Sequence, residues 1–134
     1  MTRRYARELA LQTLFSIEIG KHEPDAALGH NEQADGDTES RTFVRELVLG
    51  TLEHAPESDA TVGPLLEGWT LERLPTIDRL VLRMSVFEMK YRTETPHAVV
   101  INEAVELAKK FSTDDSPRFV NGVLSNVAGR PART

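Results

Sequence analysis

Apolar residues recur along this chain at helical spacing, with polar residues filling the opposite positions. Residues 3–19 open with Ala6, Leu9, Ala10, Thr13 and Ile17 on one stripe, so they predict a helix with Gly20 as its stop. Leu11 and Phe15 lie off that stripe, at about 100° per residue, on a second face shared with Arg4. Residues 21–40 lose the pattern. They are polar and acidic, contain Pro24, Gly29 and Gly36, and predict a loop with a short helical turn at 25–28.

The pattern returns at 39–55, where Phe43, Val44, Leu47, Val48, Thr51 and Leu52 form a broad stripe. Pro56 ends that segment, and Ser58 or Asp59 offers a cap for a short helix interrupted by Gly63 and Pro64. Trp69 reads as a buried hinge, followed by a single turn at 70–73. From Thr76, Ile77, Leu80, Val81, Met84, Phe87 and Tyr91 share a stripe that Leu82 and Val86 widen, which predicts a central helix contacted from several sides. Asp78 falls in its first turn, where a carboxylate complements the helix dipole.

Two more helices follow. Thr95 and Pro96 start one whose inward residues are Val100, Ile101, Ala104, Val105, Ala108 and Phe111, and Glu106 and Lys110 stand in the favoured i,i+4 order. A turn at 112–115 leads to Ser116 and Pro117, then to a stripe of Phe119, Val120, Val123, Leu124 and Val127. No strand-period segment of useful length appears. The expected class is all-α with six to seven helices.

Composition narrows the function classes. The 134 residues suit one domain with a modest core, and 40% apolar with 28% charged residues describes a folded chain rather than a disordered one. Cysteine is absent, which excludes disulfides and thiolate metal sites. There is no membrane-length apolar run and no signal-peptide core, so a cytoplasmic location without membrane attachment is expected. His22, His30, His54 and His97 lack metal-ligand spacing, no nucleophile stands beside a base, and Glu103 and Glu106 read as solvated helix surface. The expectation is a non-enzyme with no cofactor and no metal.

The net charge of −5 argues against generic nucleic-acid binding, but the charge is unevenly spread. Acids dominate from 23 to 59, while the two ends carry the basic residues. Arg3, Arg4 and Arg7, taken with Lys109, Lys110 and Arg118, could grip phosphates, and Phe111 and Phe119 could stack on unpaired bases. Both phenylalanines also lie on apolar stripes, so core packing is the competing reading.

The segment INEAVELAKKFSTDDSPRFVNGVL, at 101–124, strongly resembles the signature of the NusB family of bacterial transcription antitermination factors. RRYARELALQTLFSIE at 3–18 and LPTIDRLVLRMSVFEM at 74–89 support the likeness, which spans most of the chain outside 21–40. The resemblance implies two small antiparallel helical bundles, at about 1–68 and 69–130 here, with a mobile acidic loop at 21–38. It also implies binding of the boxA element of nascent, single-stranded ribosomal RNA together with NusE, a small-subunit ribosomal protein. Within the RNA polymerase antitermination complex, this suppresses premature termination.

Carried onto this sequence, the RNA contacts become Arg3, Arg4 and Arg7, then Phe111, Asp115 and Phe119. Lys109, Lys110 and Arg118 stand beside them. The NusE side becomes Phe15, with Leu11 on the same face, and Asp78. Phe15 stands where the family often has tyrosine, Ser112 where a glycine is common, and Pro117 removes a backbone donor near Phe119. The alternative is an interaction module, a homodimer that masks its RNA face with Leu11 and Phe15 as the seam.

Overall fold

The computed structural model describes residues 1–32 and 37–129. Among these residues there are seven α-helices and no strand. They fall into two compact units, Met1–Glu53 and His54–Thr134.

The first unit holds α1 (Arg3–Gly20), α2 (Pro24–Glu32) and α3 (Thr38–Glu53), each packing on the other two. The Thr2 hydroxyl caps α1 by accepting from the Tyr5 amide at 3.0 Å. The helix runs through Gly20, and the residue that takes the left-handed conformation beyond it is Lys21, at φ 58°. The expected loop contains α2, a full helix rather than one turn: Pro24 starts it, Asp25 complements its first turn, and Ala27 and Leu28 are buried. Its acidic, polar sequence hides a short buried face. Residues 33–36 of the expected mobile loop lie outside the described residues, as does the tail after 129. Asp37 opens α3 by accepting from the Ser40 amide at 2.8 Å, and hydrogen bonding from the Ser40 side chain, then from its amide, lowers the Asp37 pKa.

The second unit holds α4 (Ala55–Val62), two single 3-10 turns at Gly63–Leu65 and Leu71–Arg73, α5 (Thr76–Tyr91), α6 (His97–Phe111) and α7 (Ser116–Gly129). The boundary read from the sequence near residue 68 differs from this division because α4 is tied to α5. Arg83 grips Asp59 with two bonds of 2.7 and 2.8 Å. Glu57 accepts from the Tyr91 hydroxyl at 2.7 Å and from Lys90 at 3.2 Å, and these donors lower its pKa. Pro56 lies within the first turn of α4, where its missing N–H costs nothing, so it does not separate two helices.

As expected, α5 is the central helix, packed by α4, α6 and α7, with buried residues from Asp78 to Met89. Tyr91, at its end, is half exposed and stacks on the His54 ring at 4.2 Å. A short link makes α6 and α7 antiparallel neighbours. Val100, Ala104, Leu107 and Ala108 of α6 and Val120, Val123 and Leu124 of α7 are buried. Two stripe readings fail, at Leu52 and at Tyr91, and so does the buried-hinge reading of Trp69. Leu52 is 37% exposed at the end of α3, and Trp69 is 57% exposed in the irregular stretch between the two 3-10 turns. A tryptophan in a segment without a regular face has no periodicity to betray its burial.

Candidate nucleic-acid interface

The last turn of α6 and the first turn of α7 bring the second-unit candidates onto one rim. Lys109 and Lys110 are exposed in the final turn of α6, where cations complement the helix dipole. Glu106 pairs with Lys109 at 3.1 Å, one residue away from the expected partner. Asp115 and Arg118 are exposed on either side of the start of α7. A concavity of about 400 Å³ is lined by Lys109, Thr113, Asp114, Asp115, Pro117 and Arg118. Phe111 and Phe119 stand outside that lining and are both half-buried. Each therefore keeps part of its surface accessible. The Lys110 ammonium lies 5.5 Å from the Phe111 ring centre.

The link between the two helices is held from below. Asp78 is only 4% exposed. Its Oδ1 accepts from the Ser112 hydroxyl at 2.5 Å, and its Oδ2 accepts from the Ser116 hydroxyl at 2.9 Å. The Thr113 amide donates to Ser116 Oγ at 3.2 Å, and the Thr113 hydroxyl lies 2.8 Å from the same atom. This network is a correction to the partner-surface reading of Asp78: the carboxylate is inside the fold with both oxygens occupied. Sequence reading saw Asp78 as a dipole complement and Ser116 as a cap, and it had no signal to join them across the sequence.

In the first unit the arginines divide. Arg4 is exposed. Arg3 is exposed too, but its guanidinium sits 4.0 Å from the Phe43 ring centre and 3.2 Å from Glu39. Arg7 is only 5% exposed and lies 5.4 Å from the same ring. Arg7 is thus a packing cation rather than an open phosphate grip, because Phe43 on α3 offers it a ring to stack on. Phe15 is 38% exposed, in keeping with a surface role, whereas Leu11 is 1% exposed and cannot be part of an open partner face or dimer seam. Within the same unit α1 packs on both α2 and α3.

Among the described residues no cluster of three His, Cys, Asp or Glu side chains could hold a metal ion. No helix described is long and apolar enough to cross a membrane.

Comparison with known proteins settles the family. The NusB family model matches residues 4–129. The chain belongs to the NusB family. It is 48% identical over 128 residues to the transcription antitermination protein NusB of Desulforamulus reducens, covering 95% of this chain and 90% of that one. It is 51% identical over 127 residues to the protein of the same name from Geobacillus kaustophilus, covering 95% of each. A solved structure of T. maritima NusB superposes with a TM-score of 0.89 at 32% identity, covering 99% of this chain and 94% of that one. The all-helical architecture is therefore that of the family.

Proposed function

We propose that this protein is a non-enzymatic transcription antitermination factor acting in the cytoplasm, and that it binds single-stranded, boxA-like RNA through the α6–α7 rim. The observation that carries the reading is the rim itself: exposed Lys109, Lys110 and Arg118 around half-buried Phe111 and Phe119, within the segment that bears the family signature. Cations supply the attraction to phosphate, and the phenylalanine surfaces suit stacking on unpaired bases. Asp115 stands among the cations and opposes phosphate, so it disfavours tight binding to arbitrary RNA. Arg3 and Arg4, exposed on the first unit, are further candidate phosphate contacts in their own right. The name shared by the relatives at 48% and 51% identity supports the antitermination role.

The protein partner in this reading is NusE, the small-subunit ribosomal protein, received at Phe15, within the assembly that RNA polymerase carries. The test is RNA binding by the purified chain with and without its cognate NusE. A boxA-like oligonucleotide should bind more tightly than a scrambled one, and NusE should strengthen the preference. Affinity should also fall steeply with added salt. Equal affinity for boxA-like and scrambled RNA in the presence of NusE would refute the proposal.

A further inference from the structure

We propose that Asp78 is a positioning residue for the RNA-binding rim, holding Ser112 and Ser116 so that the ends of α6 and α7 present their cations and phenylalanines in one geometry. The inference rests on the rim being the RNA site, and it gives Asp78 a role that needs no contact with a partner.

Ser112 is the residue that closes α6, and Ser116 is the first residue of α7. One carboxylate from the first turn of α5 receives both hydroxyls. Each serine has a single proton to donate. With both protons directed at Asp78, the lone pairs of Ser116 Oγ are left for Thr113, whose amide and hydroxyl approach it at 3.2 and 2.8 Å. The link at 112–116 is therefore closed on itself and tied to the central helix. Hydrogen bonds to a buried carboxylate are stronger than neutral ones, and without it the buried Ser116 hydroxyl keeps only neutral acceptors, Ser112 Oγ at 2.9 Å and the Thr113 hydroxyl at 2.8 Å. Ser116 is 1% exposed, so water cannot readily replace the carboxylate there. The residues this link connects are the rim residues: Phe111 precedes Ser112, and Arg118 and Phe119 follow Ser116. A glycine at position 112 would have no hydroxyl to give, so this part of the clamp depends on the serine.

The test compares Ser112→Ala, Asp78→Asn and Asp78→Ala with the parent chain, each checked for helix content by circular dichroism. Without RNA, amide hydrogen exchange at Thr113 and Ser116 should quicken about tenfold in Ser112→Ala and more in Asp78→Ala, while amides in the middle of α5 change little. Affinity for a boxA-like oligonucleotide, measured without a protein partner, should fall roughly fivefold or more in the same order, with Asp78→Asn retaining part of it. The double variant Asp78→Ala/Ser112→Ala should lose less affinity than the two single losses combined, because both changes break the one Ser112–Asp78 bond.

Unchanged exchange at Thr113 and Ser116 in a folded Ser112→Ala protein would overturn the proposal. So would unchanged RNA affinity in variants whose exchange has quickened, or a loss confined to NusE binding. A parent chain that binds no boxA-like RNA either alone or with NusE would refute the function proposed above, and the exchange comparison would still decide whether the clamp exists.

Discussion

A lysine held at φ 58° carries a steric cost of roughly 1 kcal/mol that glycine does not. Lys21 occupies that conformation at the end of α1, and its side chain is exposed, so its replacement sacrifices no packing. Lys21→Gly should therefore stabilise the protein by about 0.5–1 kcal/mol, read as a rise in the midpoint of chemical denaturation with an unchanged slope. A lowered midpoint would mean that the lysine side chain has a role its exposure does not reveal. Other residues show why single positions were hard to read from the sequence. Phe15 and Leu11 share a helical face in the wheel, yet one is 38% exposed and the other 1%. Arg7 looks like Arg3 in sequence, but it is buried near Phe43. Residue type sets what a side chain can do, and neighbours distant in the chain decide which option it takes.

Helices with strong apolar periodicity were legible. Most core-facing residues of α5, α6 and α7 lie on the stripes read from the sequence, since burial of a continuous apolar face dominates over local propensity, although Leu107 is buried off its stripe and Tyr91 is exposed on its own. What escaped was α2, whose few apolar residues give no stripe, and the attachment of α4, which rests on charge pairing. That pairing has a measurable consequence. The side chains of Arg83 and Asp59 are 21% and 30% exposed, and their forked geometry is the favourable one. Arg83→Ala should cost about 1–2 kcal/mol. Arg45→Ala, which removes a 3.5 Å pair with Asp25 at 46% and 88% side-chain exposure, should cost about 0.5 kcal/mol or less. Thermal unfolding of the two variants side by side checks the ordering, and equal losses would contradict the role given to the Asp59–Arg83 fork.

For the whole molecule, the family signature was in the sequence and the rim it builds was largely legible: Lys109, Lys110, Asp115 and Arg118 are all exposed around one turn. The sequence could not show that Asp78 lies beneath that turn, because a hydrogen-bonded contact across distant positions leaves no periodic trace. The division into Met1–Glu53 and His54–Thr134 places the arginines of α1 in one unit and the rim in the other. The central claim is that the rim in the second unit holds RNA. Backbone amide chemical shifts, followed by NMR as a boxA-like oligonucleotide is added, test it most directly. The largest changes should fall at 109–119, with a smaller set near Arg3 and Arg4. Saturable binding with shifts confined to α4 and the exposed end of α5, and none at 109–119, would contradict it.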